Sequence, residues 1–320
     1  MVYSQSMNRR DFLARVTIKT SIALAALKGL PALSQRPKNA RLVIVGGAED
    51  RLQDRIILRS FMDYCGGSAA KIRIITATSS DPPGVWLSYR EVFTALGVEN
   101  VQRLELDDRN SAYASPLQKE ILGADGIFMS GGDQSRLMDI LWDTPAYQSL
   151  HQAFHMNGCC IGGTSAGAAV MSRHMIAQGP AVLRPSKDAV DTDIGLGLLS
   201  HAVVDQHFSE RRRLARLLST LAIRPDLLGV GIDEDTALVI ERGSAIEVIG
   251  KGSVTLVDPS QMESNVSELE SLEQIEMLGV QLHLLPAGQR YSAKPVEHTY
   301  RNQSLHQAIQ RLVAVGPMRR

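Results

Sequence analysis

Short apolar runs alternate with stretches of helical spacing along most of this chain. Arg41-Leu42-Val43-Ile44-Val45 is the first run, and Gly46-Gly47 follows it. Leu52, Ile56, Ile57 and Phe61 then recur at helical spacing, which predicts a helix over 52–64. An Ile-rich run covers 71–76, 86–96 reads as helix, and 101–106 alternates as a strand does. Gly126-Ile127-Phe128-Met129 is a further strand, followed by Ser130-Gly131-Gly132-Asp133-Gln134 and a helix over 137–142. Strands that alternate with helices imply βαβ units. The predicted fold is therefore α/β, a largely parallel, doubly wound sheet flanked by helices and joined by right-handed crossovers. Ligands of such sheets bind beyond the C-terminal strand ends. Gly46-Gly47, Gly131-Gly132 and Gly162-Gly163 all fall there, which predicts backbone crowding around one shared site.

The densest signal is Cys159-Cys160-Ile161-Gly162-Gly163-Thr164-Ser165-Ala166-Gly167-Ala168-Ala169-Val170-Met171. An apolar run ends in two glycines, a lone Ser follows, and small residues lead into what reads as a helix. Gly163-Thr164-Ser165-Ala166-Gly167 fits G-x-S-x-G, the nucleophile elbow, whose tight strand-to-helix turn tolerates only small neighbours. Ser165 would then sit exposed where free N–H groups favour developing negative charge.

A second informative run is His201-Ala202-Val203-Val204-Asp205-Gln206-His207-Phe208. It reads as an apolar strand ending in polar residues. A helix over 209–220 is expected next, capped by Ser209 and carrying Arg211, Arg212, Arg213 and Arg216. His207 is the candidate general base, since an imidazole can accept a serine proton near neutrality. Gly229-Val230-Gly231-Ile232 then leads into Asp233-Glu234-Asp235, and any of the three carboxylates could hold that imidazole in its working tautomer. The order is Ser, His, acid. The α/β-hydrolase order is Ser, acid, His, so the elbow belongs to a different fold.

Residues 1–34 read differently. Asn8-Arg9-Arg10-Asp11-Phe12-Leu13 is a twin-arginine pattern, and a mildly apolar stretch from Val16 to Leu30 is interrupted by Lys19 and Lys28. Pro31-Ala32-Leu33-Ser34 offers small residues at a cleavage site. That is the form of an export signal, so a periplasmic or secreted enzyme is expected. The apolar stretch is too short and too charged for a membrane span, and none is expected once the signal is removed. The remaining residues, about 286, are ample for one large core. Charge balances at 34 basic against 34 acidic residues, so no overall field draws the chain to nucleic acid. Three Cys, an odd number, argue against a disulfide framework, and Cys159 and Cys160 read as small core residues. No Cys/His cluster has zinc spacing, and no metal is expected.

Gly162-Gly163-Thr164-Ser165-Ala166-Gly167-Ala168, Asp205-Gln206-His207-Phe208 with its trailing arginines, and Gly231-Ile232-Asp233-Glu234-Asp235-Thr236-Ala237 together resemble the cyanophycinases. These are serine peptidases with a class I glutamine amidotransferase-like, flavodoxin-like fold. Gly131-Gly132-Asp133-Gln134 and Gly252-Ser253-Val254-Thr255-Leu256-Val257-Asp258 match as well, so the resemblance covers roughly 41–285. It implies Ser165 as nucleophile, His207 as base and Glu234 as the acid. The N–H groups of Ala166 and Gly132 would form the oxyanion hole. It further implies Gln134, Asp205, Gln206, Arg211, Arg213 and Arg216 as substrate-binding residues, with Asp205 meeting a substrate guanidinium. Arg212 lies outside that pattern and is expected to face solvent. The substrate would be cyanophycin, polyaspartate with arginine on each side-chain carboxyl, released as β-Asp-Arg dipeptides without metal or organic cofactor. Alternatives are a small-peptide α-aspartyl dipeptidase and a non-catalytic amidotransferase-like binding protein. The expected organisation is a signal over 1–34, a peptidase domain over 35–290, and a tail over 291–320 that can pack on it. The Glu-rich stretch 263–276 and the tail depart from the family pattern and bear on oligomer contacts, a homodimer among them.

Overall fold

The structure, a computed structural model, describes residues 40–294 and 303–314. The expected export signal lies outside the described residues. Five parallel strands form one side of the main sheet, out to its edge at β3: β1 (Arg41–Val45), β2 (Lys71–Ile75), β3 (Asn100–Arg103), β4 (Gly126–Met129) and β5 (Cys160–Thr164). Helices α1 (Ile56–Cys65), α2 (Pro82–Ala95), α3 (Ser115–Leu122), α4 (Gln134–Leu141) and α5 (Pro145–His155) lie between them in sequence. β1, β2, β4 and β5 are buried on both sides, whereas β3 is only half-buried. Leu42 and Ile44 of β1 join one apolar cluster with Ile127, Leu137 and Leu150, whereas Val43 and Val45 join another with Phe61, Phe93 and Phe128. Strand side chains alternate between faces, so two clusters on one strand mean a sheet covered on both faces. This is the doubly wound arrangement the alternation predicts.

Three antiparallel strands extend the sheet past β1: β10 (Thr236–Glu241), β11 (Ala245–Gly250) and β16 (Gln289–Ser292). The full order is β16-β11-β10-β1-β5-β4-β2-β3. A second sheet, which the periodicity does not reveal, has the order β15-β12-β9-β8. Its members are β8 (Ala202–Gln206), β9 (Leu228–Ile232), β12 (Ser253–Asp258) and β15 (Gln281–Pro286). The chain passes from β9 in the second sheet to β10 in the first through Asp233-Glu234-Asp235. A hairpin of β6 (His174–Gln178) and β7 (Asp191–Ile194) follows the short helix α6 (Ala166–Ala169), and the Glu-rich stretch begins with β13 (Glu263–Ser264), which pairs with β14 (Met277–Leu278) just beyond its end. Helix α7 (Leu214–Ile223) packs Leu217 and Leu221 against Val203 of the second sheet. Helix α8 (Gln303–Val313) buries Ala308, Ile309, Leu312 and Val313 in the larger cluster.

All four predicted helix starts shift: those expected at 86 and 137 come earlier, at Pro82 and Gln134, and the other two come later, each for a visible reason. The first helix begins at Ile56, because the Asp50 carboxylate accepts the backbone N–H groups of Leu52, Gln53, Asp54 and Arg55 and holds them in a turn. Leu52 is left largely exposed. The helix expected over 209–220 begins at Leu214. His207 and Arg212 both have positive φ, and the Ser209 N–H is taken by Asp233 Oδ1 at 3.2 Å, so 207–213 is a tight turn instead. Cys65, Cys159 and Cys160 are buried and form no disulfide among the described residues. No helix among the described residues is long and apolar enough to cross a membrane.

Candidate active site

Ser165 stands between β5 and α6 at φ 52°, ψ −113°, a backbone conformation that L-residues rarely adopt. The elbow turns in a confined space. A Cβ added to Gly163 would lie 2.3 Å from Gly167 O, and one added to Gly167 would lie 2.3 Å from Met129 O. The Ser165 N–H donates to Val45 O, tying Ser165 to the end of β1.

His207 arrives from the second sheet. It follows β8 directly, its N–H donates to Gly46 O at 2.7 Å, and its Nε2 lies 2.9 Å from Ser165 Oγ. Its Nδ1 lies 2.5 Å from Glu234 Oε1. A proton on Nδ1 donated to that carboxylate leaves Nε2 as an acceptor facing the hydroxyl. Gly47 is what lets the ring sit there. It has φ +107°, and a Cβ on it would lie 2.2 Å from His207 Cε1. Burial pushes the His207 pKa below its ordinary value, Arg211 and Arg213 add to that, and the Glu234 hydrogen bond opposes it. The resting ring is therefore the neutral base at neutral pH.

The sequence leaves three carboxylates open, and their contacts differ. Glu234 alone reaches His207. Asp233 accepts from Ser209 N through Oδ1 and from Ser253 N and Oγ through Oδ2, joining the turn after His207 to β12. Asp235 accepts from Asp50 N at 2.8 Å and pairs with Lys251 Nζ at 2.9 Å.

The six residues implied as substrate contacts separate into two groups. Asp205 is fully buried, and its carboxylate faces the protein's own arginines rather than an open site. Arg216 approaches through Nε at 2.8 Å and Nη2 at 2.5 Å, and Arg213 Nη1 lies at 3.4 Å. This corrects the expectation of a guanidinium subsite at Asp205, for both carboxylate oxygens are already engaged. Arg213 also donates to Gln206 O at 2.6 Å, and burial brings its pKa down to about 10. Arg216 Nη1 donates to Gly179 O, and Gln134 Nε2 donates to Ile176 O and Ala177 O, so both brace the β6–β7 hairpin. Arg211 and Arg212 are exposed on the turn that follows His207, and Gln206 is buried at the end of β8. Gly132 is exposed on the turn after β4, and the adjoining Gly131 would place a Cβ 3.3 Å from Ser165 Cβ.

One buried group has no counterpart in the sequence reading. Glu49, 4% exposed, accepts from Thr164 Oγ1 through Oε2, and from Tyr89 OH at 2.6 Å and Arg51 Nη2 at 2.7 Å through Oε1. It fastens the loop after Gly46-Gly47 to the residue before Ser165. Its only sequence signal is a charge two positions after a strand-end glycine pair. No group of three or more His, Cys, Asp or Glu among the described residues is placed to hold a metal ion.

Known proteins resemble this chain in sequence and in fold. The sequence model of peptidase family S51 matches residues 42–248. A cyanophycinase of Trichormus variabilis is 39% identical over 265 residues, 82% of this chain and 89% of that protein. Cyanophycinases of Geminocystis herdmanii and Synechococcus elongatus are each 40% identical, over 254 and 255 residues. These alignments take in 79% of this chain and 93% and 79% of the respective relatives. The crystal structure of a peptidase from an acI-B1 Actinobacterium shares the fold, with a TM-score of 0.56 at 24% identity over 79% of this chain and 96% of that one.

Proposed function

The chain belongs to peptidase family S51, and on that premise we propose that it hydrolyses cyanophycin, releasing β-Asp-Arg dipeptides as a serine-type exopeptidase. The observation that carries the reading is the continuous relay from Ser165 Oγ through His207 to Glu234, at 2.9 and 2.5 Å. The substrate assignment is supported by cyanophycinases at 39–40% identity across most of both chains, which leaves the aspartyl dipeptidase and binding-protein alternatives without comparable support.

His207 Nε2 takes the Ser165 proton as Oγ attacks the amide carbonyl. Glu234 holds Nδ1–H and stabilises the imidazolium. The N–H groups of Ala166 and Gly132 receive the oxyanion, each contributing roughly 3 kcal/mol to the transition state. His207 then protonates the leaving amine, and water, activated by the same imidazole, releases the acyl group. Arg211, exposed beside His207, is assigned to substrate carboxylate, with Gln206 beside it. Asp205, Arg213, Arg216 and Gln134 are assigned to holding that surface and the β6–β7 hairpin in place.

The test is product release by the purified protein from cyanophycin and, separately, from α-Asp-Xaa dipeptides. Cyanophycin should be cleaved to β-Asp-Arg, and Ser165→Ala should lower turnover by about 10⁶. Cleavage of the short α-peptides alone would overturn the substrate, and activity surviving in Ser165→Ala would overturn the mechanism. The proposal extends to 1–34 as a twin-arginine export signal ahead of a peptidase domain over 35–290 and a tail over 291–320, supported by Arg9-Arg10 and the small residues of Pro31-Ala32-Leu33-Ser34. Replacing Arg9 and Arg10 by Lys should retain the protein in the cytoplasm, and undiminished periplasmic recovery would refute the signal.

A further inference from the structure

We infer that Thr78, on the loop after β2, is a positioning residue that fixes the orientation of the Gly131–Gly132 peptide and so aims the Gly132 N–H as an oxyanion donor. The inference rests on the assignment of that N–H under the proposed function. Thr78 is 1% exposed and grips the turn from both sides of Gly132. Its Oγ1 lies 2.8 Å from Gly131 O, and its own carbonyl accepts the Asp133 N–H at 2.8 Å. The same hydroxyl is 3.0 Å from Ser130 O and 2.8 Å from Ser130 Oγ. Gly132 presses on this loop at φ +141°, where an added Cβ would lie 2.1 Å from Thr78 O.

A trans peptide is planar, and its C=O and N–H point in opposite directions. Holding the Gly131 carbonyl inward against the buried Thr78 hydroxyl therefore sends the Gly132 N–H outward, to the exposed side of the turn. Gly131 itself abuts Ser165, with a notional Cβ 3.9 Å from Ser165 Oγ. A peptide flanked by two glycines has little steric resistance to turning over, because neither neighbour has a Cβ to oppose it. Turned over, it would present a carbonyl oxygen to the developing oxyanion in place of a donor. The Thr78 hydroxyl is the latch against that turn. It touches neither substrate nor the reacting atoms and acts wholly through the peptide it holds.

Thr78→Val keeps the shape and removes the hydroxyl. It should lower kcat about 10²-fold, as loss of one oxyanion donor does, with KM changed less than about threefold. Thr78→Ser should restore most of the rate. Ser130→Ala removes the neighbouring buried hydroxyl yet leaves the Thr78 bond to Gly131, so its kcat should stay within about threefold of the parent. The discriminating probe is a β-Asp-Arg analogue with a boronic acid at the scissile carbon, which forms a tetrahedral adduct on Ser165. Thr78→Val should weaken boronate binding at least about tenfold while β-Asp-Arg itself binds as before. Equal losses for boronate and dipeptide, equal kcat losses in Thr78→Val and Ser130→Ala, or no rescue by Thr78→Ser would each overturn the latch. In parallel, the Gly132 amide of ¹⁵N-glycine-labelled wild-type protein should shift downfield when the boronate binds. No shift in the wild type would overturn the donor assignment itself. A shift there with unchanged boronate affinity in Thr78→Val would overturn only the latch.

Discussion

Asp205→Asn separates a structural ion cluster from a substrate contact. The carboxylate has no exposure, and it sits between two arginines that are themselves 4% and 9% exposed. Asparagine keeps the volume but replaces one acceptor oxygen by an NH2 group. That group would face the guanidinium N–H donors of Arg216 and Arg213, which now lie 2.5 and 3.4 Å from Oδ1. Two buried cations would then lack a counter-ion. Removing one partner of a buried pair costs about 3–5 kcal/mol, far more than an exposed pair contributes. At roughly 2–4 °C per kcal/mol for a domain of this size, the melting temperature should fall by about 6–20 °C. Thermal unfolding followed by circular dichroism, with urea titration at constant pH, measures this directly. Activity would fall too, since Arg216 Nη1 also holds Gly179 O and Arg213 holds Gln206 O. Arg211→Ala is the contrasting variant, because that side chain is exposed: its melting temperature should stay within about 1 °C of wild type while KM rises. An Asp205→Asn protein that melts within about 2 °C of wild type and changes only KM would refute the buried-cluster reasoning and return Asp205 to the substrate.

Three further outcomes follow from the triad's surroundings. On the proposed mechanism His207 is a neutral base, and its pKa is held below its ordinary value chiefly by burial, so kcat/KM should decline only as pH falls below that ordinary value. Removing Arg211, one of the groups that lowers it, should move this acid limb to higher pH at low ionic strength, and an unmoved limb would show that the charge does not reach the ring. Gly47→Ala puts a methyl group into the His207 ring and should cut kcat by about 10³ or more, detected as lost labelling of Ser165 by a fluorophosphonate. Labelling at the wild-type rate would mean that the loop yields. Glu234→Gln should lower turnover by about 10³–10⁴ without a large change in melting temperature, whereas Asp233→Asn should show the reverse, since Asp233 binds Ser209 and Ser253 and not the imidazole. Equal kinetic losses in both variants would argue against a dedicated acid.

The sequence by itself determined the parts of this protein whose signals are local. Alternating apolar runs and helical spacings need no partner to be read, and they specify β1 to β5, helices α1, α2 and α4 and the buried parallel sheet, whereas α3 and α5 are not read from the spacing. The elbow is also local. Small residues around Ser165 are demanded by a turn that admits no Cβ at Gly163 or Gly167. Boundaries failed where a side chain or a positive φ intervened, as with Asp50 at the start of α1 and Arg212 ahead of α7. Sheet membership was decided only in three dimensions. An apolar run states that a strand is buried, not which neighbour it pairs with, so β8 and β9 gave no sign of a second sheet. That sheet is what brings His207 to Ser165 across 42 positions of chain. Tertiary contacts also chose Glu234 from three adjacent carboxylates, because Asp233 and Asp235 are engaged by Ser253 and Lys251. The same holds for the arginines. Residue type makes Arg211, Arg213 and Arg216 equally fit to meet a carboxylate, and burial beside Asp205 is what withdraws two of them from solvent while leaving Arg211 exposed. A charged side chain's partner is set by what the fold puts within reach, and that information is not carried by the residues taken one at a time.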